Sequence, residues 1–230
     1  MNRIIAYMTL LFSLSSACSS PNDGYKISGI VKETNDGPYL DYIYMGYGEV
    51  KDSALVGGSG QFEFTGKLQH PTRVYLHLKP PSASVGFYLE NSQVFVSGQF
   101  YESFQNDTNY NLFYMDSVAG SRSNDLVVAY REYKKANQSK SNYEELIVDK
   151  LTTMAHENPK NSIIGTLLAD EAVKSNKIFT LEELKKAHSY LDSAYQIHAE
   201  MALIERGIQQ LEASRLGDQF IDFTISGDRR

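Results

Sequence analysis

The sequence predicts an α+β protein: an N-terminal antiparallel β-sandwich or partly open barrel, followed by a C-terminal helical domain. Three observations predict it. Apolar residues recur at every second position from Tyr25 to about residue 98, between clusters of Gly, Pro, Asn and Asp. From Ser121 onward the apolar period lengthens to that of a helix. The chain has 230 residues, 42% hydrophobic and 22% charged, an ordinary globular composition with enough length for one large domain or two small ones.

The β domain spans 25–120. Tyr25–Lys32 alternates apolar and polar residues until Asn35-Asp36-Gly37-Pro38 breaks it. Leu40–Met45 and Val50–Val56 are the next strands, and Gly57-Gly58-Ser59-Gly60 turns the chain into Gln61–Gly66, where Phe62 and Phe64 share a face. That glycine run lacks the Lys and the following helix that a phosphate-binding loop requires. In Thr72–Lys79, Val74, Leu76 and Leu78 face one way and Arg73, Tyr75 and His77 the other. Val85–Glu90 and Gln93–Gly98 read as a last hairpin across Asn91-Ser92. Six or seven short strands with regular turns indicate a sandwich or open barrel.

The helical domain spans 121–216. Leu126, Val127, Tyr130 and Tyr133 mark a helix to about Gln138. Ser141-Asn142-Tyr143-Glu144 reads as a capping box opening a second helix that Asn158-Pro159 ends. Ser162–Ser175 is a third. Thr180-Leu181-Glu182-Glu183 is another capping box, opening a helix through Leu184, Ala187, Leu191 and Tyr195, and the last helix runs from about Ala199 to Leu216. Glu144, Glu145, Glu182 and Glu183 stand in first turns, where negative charge complements the helix dipole. Lys134, Lys135, Lys185 and Lys186 read as solvated faces.

Residues 1–17 have the layout of a secretory signal: Arg3, an apolar stretch from Ile4 to Leu14 too short to span a bilayer, then small residues up to Cys18. Leu14-Ser15-Ser16-Ala17-Cys18 resembles a lipobox, with Ser15 where an aliphatic residue is usual. Cys18 is the chain's one cysteine, so no disulfide can form within the chain, and lipidation at Cys18 accounts for it. Acyl chains there would tether the protein to a membrane without a spanning helix. Residues 18–24 read as a polar tether. The expected location is the bacterial cell envelope, on the outer-membrane or periplasmic side.

The net charge of −6 disfavours nucleic-acid binding. His70, His77, His156, His188 and His198 show no paired spacing of a zinc-protease helix, and no Gly-x-Ser-x-Gly elbow is present, so no metal, cofactor or catalytic residue is assigned. Ten of the 16 tyrosines lie between Tyr25 and Tyr114. Tyr42 and Tyr44 share one face of a strand whose other face carries Ile43 and Met45. If the Ile/Met face is core, the tyrosines form an amphipathic surface suited to protein, peptide or glycan contact; otherwise they are half-buried sheet residues.

Four stretches carry a family resemblance: Tyr25-Lys26-Ile27-Ser28-Gly29; Asp52-Ser53-Ala54-Leu55-Val56 with Gly60-Gln61-Phe62-Glu63-Phe64-Thr65-Gly66; Phe87-Tyr88-Leu89-Glu90-Asn91; and Val118-Ala119-Gly120-Ser121-Arg122-Ser123-Asn124. They resemble the N-terminal domain of unknown function on TlpA/ResA-like thiol–disulfide oxidoreductase lipoproteins of Bacteroidetes, in which β and helical regions precede a thioredoxin domain. Residues 217–230, with Asp222-Phe223-Thr224-Ile225, resemble the start of that domain. The Cys-x-x-Cys pair has no counterpart here, and that chemistry needs a low-pKa thiolate and a resolving thiol. The resemblance implies a lipid-anchored, non-catalytic binding or accessory module. The alternatives are the front part of a truncated oxidoreductase and an unrecognised hydrolase. Asp52-Ser53-Ala54, Asp116-Ser117-Val118 and Asp192-Ser193-Ala194 also resemble the O-glycosylation motif of exported Bacteroidetes proteins, with Ser53, Ser117 and Ser193 as acceptors.

Overall fold

The computed structural model describes residues 23–33, 41–78, 84–105, 108–173 and 178–218. Among these residues are eight strands, in two open four-stranded sheets, followed by five α-helices. Cys18, the signal-like segment and residues 219–230 lie outside the described residues.

The strands are β1 (Tyr25–Glu33), β2 (Tyr42–Tyr47), β3 (Val50–Leu55), β4 (Gln61–Gly66), β5 (Thr72–His77), β6 (Val85–Leu89), β7 (Gln93–Gln105) and β8 (Thr108–Ala119). The first sheet has the order β4-β1-β7-β8 and the second β3-β2-β5-β6. All pairs are antiparallel except β1 with β7, which run parallel from Lys26 beside Gln93 to Glu33 beside Phe100. Alternation sorts the side chains. Ile27, Val31, Ile43, Met45, Phe62, Phe64, Val74, Leu76, Phe87, Val94 and Val96 all bury between the sheets. The Gly29 backbone lies under the Phe62 ring, where a Cβ would come within 2.0 Å of ring carbon.

Two expectations for the strands are corrected. Val85–Glu90 and Gln93–Gly98 do not pair as a hairpin. β6 pairs with β5, β7 pairs with β1 and β8, and Asn91-Ser92 is a corner between sheets. The corner is pinned from outside, since the Asn91 side chain accepts from Leu68 N (2.9 Å) and donates to Leu68 O (2.8 Å). The strand predicted to stop at Gly98 continues to Gln105 and returns as β8, through a register shift between Ser97 and Gly98.

The helices are α1 (Arg122–Asn137), α2 (Tyr143–Glu157), α3 (Ser162–Ala172), α4 (Leu181–Ser189) and α5 (His198–Asp218). Their core joins Leu126, Tyr130, Ile147, Leu151, Ile164, Leu168, Leu184 and Ile204. The Thr180 capping box forms as predicted, with Thr180 Oγ1 accepting from Glu183 N and Thr180 N donating to Glu183. The Ser141 box does not. Consecutive turns at Lys140 and Tyr143 start α2 one residue later, with Asn142 at the cap and no side-chain capping bond. α4 ends at Ser189, so Tyr195 falls in a short 3₁₀ turn, Ser193–Tyr195, and is exposed. Lys134 is half-buried and not simply a solvated face: it pairs with the buried Glu171 at 2.5 Å, while Tyr130 Oη donates to the same carboxylate at 2.8 Å. Burial, then the Glu171 charge, pushes the Tyr130 phenol up, so it stays a donor.

Sandwich and helices meet at one polar junction. Gly120 has φ +88°, where a Cβ would strike Gln93 O, and it turns the chain out of β8. Ser121 caps α1, accepting from Asn124 N at 3.2 Å and donating to Tyr88 O at 2.7 Å. Asn124 Oδ1 accepts from Tyr88 N at 3.2 Å. Glu90, at the end of β6, accepts from Arg122 N (2.6 Å), Ser123 N (3.3 Å) and Ser123 Oγ (2.5 Å). A carboxylate from the sandwich thus satisfies otherwise orphaned amides of the first helix.

Candidate functional site

Ile43 and Met45 are core residues, at 0% and 1% exposure, so Tyr42 and Tyr44 stand on the outer face of the second sheet. β5 supplies their neighbours by the same alternation: Val74 and Leu76 go inward, Arg73, Tyr75 and His77 outward. The register sets His77 opposite Tyr44, and their rings stack at 5.3 Å between centroids, 14° from parallel. Tyr42 and Tyr44 are 6.4 Å apart.

Tyr75 lies between two glycines, Gly46 on β2 and Gly86 on β6. A Cβ on Gly86 would stand 3.0 Å from Tyr75 Cε1 and 3.2 Å from Arg73 Nε. Both side chains therefore lean across the glycine, and the ring rests against the sheet. The Arg73 guanidinium carbon sits 5.2 Å from the Tyr75 ring centroid, a cation–π arrangement. Tyr42 keeps 44% and Tyr75 37% of its surface exposed. The outer face thus carries Tyr42, Tyr44, His77, Tyr75 and Arg73 from the β2 side toward β6.

At the β6 edge the row reaches a cleft of about 450 Å³ between the sandwich and α1, lined by Arg73, Gly86, Tyr88, Val118, Val128 and Arg131 among others. Tyr88 is half-buried against the helical core. Burial pushes its phenol up; the Arg73 and Arg131 charges pull the other way, and Asp170 adds to the rise. Both guanidinium groups therefore act on this one hydroxyl.

The first sheet also has an open outer face. Phe95 (47% exposed) and Leu55 (68%) border a groove of about 740 Å³ with Ile30 and Gln61, and Tyr101 packs edge-on to Tyr114 at 5.5 Å. Neither this groove nor the edge cleft contains a histidine, so neither unites the Ser, His and acid of a hydrolase. Among the described residues, no group of three His, Cys, Asp or Glu is arranged to hold a metal ion. No helix among the described residues is long and apolar enough to cross a membrane.

The structure does not gather the three motif serines at one site. Ser53 is exposed on β3, opposite Tyr44, with its amide donating to Asp52 at 2.7 Å. Ser117 is exposed on β8, its hydroxyl 2.7 Å from that of Ser97. Ser193 opens the exposed 3₁₀ turn, where Asp192 caps Ala194 N at 3.2 Å. Sequence reasoning assigned Arg73 and Tyr75 only to the polar side of a strand, and the signal that could have found them was that same alternation. Tyr88 and Arg131 gave no comparable signal, because their meeting depends on where α1 docks.

Residues 25–127 match a family described as a domain of unknown function, DUF4369. No curated protein matches the chain. Among solved structures, chlorocatechol 1,2-dioxygenase from Pseudomonas putida aligns at 6% identity and a TM-score of 0.22, over 43% of this chain and 61% of that one. That likeness is too slight to bear on fold or function.

Proposed function

We propose that this chain is a lipid-anchored, non-catalytic binding module of the bacterial cell envelope, which captures a protein partner on the outer face of its second sheet. The observation that carries the reading is the row Tyr42, Tyr44, His77, Tyr75 and Arg73, part-exposed and laid on one rigid face. Tyrosine and arginine are the residues that anchor protein interfaces, because each offers large contact area, few rotamers to freeze and a polar tip. Here the stacked Tyr44–His77 pair and the glycine-bedded Tyr75 are largely pre-ordered, which lowers the entropic cost of binding.

The envelope location and the anchor at Cys18 rest on the signal-like first 17 residues. The tie to thiol–disulfide oxidoreductase lipoproteins rests on the four sequence stretches named above. A second reading, the front part of such an oxidoreductase, is favoured by the Asp222-Phe223-Thr224-Ile225 resemblance. An immunoblot of envelope fractions separates the two: a native band larger than the 230-residue chain by roughly 100–150 residues supports the oxidoreductase.

The binding reading is tested by probing peptide and glycan arrays with the full chain in detergent, alongside Tyr75→Ala. Peptide spots that bind the parent and lose at least tenfold with Tyr75→Ala are the expected result. Binding confined to saccharide spots would transfer the face to glycans, and unchanged binding by the variant would remove the face from the function.

A further inference from the structure

The cleft at the β6 edge holds a set of unsatisfied recognition groups that the outer face alone does not explain. Tyr88 directs its amide N–H to Asn124 Oδ1 and its carbonyl to Ser121 Oγ, away from β5 and toward α1. Residues two apart on a strand send their main-chain groups to the same side. Gly86 therefore points its own N–H and C=O out of the β6 edge as well. Among the described residues nothing bonds to them. The side chains of Ser121 and Asn124 act as a neighbouring strand at Tyr88 and go no further, leaving an open strand edge one step along, at a residue with no side chain to obstruct approach.

The walls of the same cleft carry Arg73, leaning over Gly86, and Arg131, two turns along α1 from Asn124. Among the described residues neither guanidinium has an ion-pair partner. Three carboxylates also line the cleft, and none is engaged with either arginine: Asp116 is held by the Gln99 amide at 3.1 and 3.2 Å, Asp125 sits in the first turn of α1, and Glu132 lies on the α1 wall. The apolar lining includes Phe87, Val118 and Val127. A strand edge that exposes one donor and one acceptor, beside two arginines, complements a peptide main chain that carries a carboxylate.

We propose that this cleft binds an extended acidic peptide segment, which pairs main chain to main chain with Gly86 and places a carboxylate between Arg73 and Arg131. The proposal rests on the protein-binding reading above and adds the conformation and charge of the partner segment. The open edge favours a peptide over a saccharide, because a strand-like backbone matches the spacing of the Gly86 groups.

The test uses the full chain in detergent to select from a phage-displayed random dodecapeptide library, followed by anisotropy with the synthetic peptides. Selected sequences are expected to carry Asp or Glu beside β-branched residues. Replacing that acid by its amide in the peptide should weaken binding at least tenfold, a result that needs no protein variant. N-methylation of the peptide backbone should do the same, and Gly86 amide exchange should slow when peptide is added. With Arg131→Gln or Arg73→Gln, the acid and amide peptides should bind equally. Peptides that depend on Tyr75 but not on either arginine overturn the cleft proposal and leave the outer-face reading standing. Binding of oligogalacturonate without any peptide overturns it in favour of an acidic saccharide. Failure to select any peptide, with no saccharide bound, overturns both.

Discussion

Replacing Glu90 with Ala should loosen the helical domain from the sandwich. The carboxylate accepts three hydrogen bonds at the start of α1, from Arg122 N at 2.6 Å, Ser123 N at 3.3 Å and Ser123 Oγ at 2.5 Å. A hydrogen bond to a charged group contributes about 1.5–3 kcal/mol when water is excluded. The Glu90 side chain is half-buried and Arg122 is exposed, so water replaces part of each bond after truncation. About 1 kcal/mol for each of the two amides, plus a few tenths for the lost charge at the helix N-terminus, gives about 2–3 kcal/mol in all. For a chain of this size that corresponds to a melting temperature about 5–10 °C lower. Glu90→Gln keeps an acceptor and loses the charge, so about 1 kcal/mol is expected. Urea unfolding followed by circular dichroism, with tyrosine fluorescence as a second probe, measures both. If Glu90→Ala moves the unfolding free energy by under about 0.5 kcal/mol, the junction is not what couples the two parts. If the transition splits in two, the coupling is confirmed and the less stable part identified.

Lys134→Met removes an ammonium partner from the buried Glu171 carboxylate and should cost about 3 kcal/mol, at the low end for a broken buried pair because Glu171 keeps other contacts, the Tyr130 hydroxyl among them. Chemical denaturation of Lys134→Met and of the Lys134→Met/Glu171→Met double variant checks it, the double being expected closer to the parent. Burial, and then the Asp170 charge, pushes the Glu200 carboxyl up. The folded state then holds this proton more tightly than the unfolded chain, so this group's contribution falls as pH rises from the unfolded pKa through the folded one. Glu200→Gln should therefore melt slightly higher than the parent at pH 7, with the difference vanishing as pH falls toward about 4. Cys18→Ala should shift the protein from membrane to soluble fractions and abolish incorporation of an alkyne-labelled fatty acid, and unchanged labelling would dismiss the anchor.

Strand faces were legible because burial acts on every second residue: Val74 and Leu76 on β5, Leu78 just after it, and Ile43 and Met45 on β2 reported their own orientation. Strand partners were not legible. The Asn91-Ser92 corner has the local chemistry of a hairpin turn, and distant backbone groups of Lys26, Leu68 and Gly120, which bond to it, hold it as a passage between sheets. β8 escaped because the shift between Ser97 and Gly98 breaks the two-residue period of the hairpin that contains it. The Ser141 capping box fits the sequence pattern, yet the turn before it moves the helix start by one residue. Two of the family-like stretches, Phe87–Asn91 and Val118–Asn124, acquire a physical meaning in the fold. They are the two sides of the junction, where Glu90 caps α1 and Ser121 and Asn124 hold Tyr88. For the candidate site, Tyr42 and Tyr44 were visible locally, whereas Arg131 comes to line the same cleft as Arg73 only after α1 has docked.

The parallel pairing of β1 with β7 has a kinetic consequence. β1 is first in the chain but sits in the interior of its sheet, between β4 and β7. Growing from its N-terminus, the chain can zip β1 to β4 as soon as residue 66 is available, but the other edge of β1 stays open until Gln93 to Phe100 arrive. The strands of the second sheet, β3-β2-β5-β6, all lie between β1 and β7 in the chain and can pair without waiting. Closing β7 onto β1 is a high-contact-order step, slow relative to local hairpins. Until it happens, Ile27 and Val31 lie along an unprotected strand edge, the segment most exposed to mispairing with other chains.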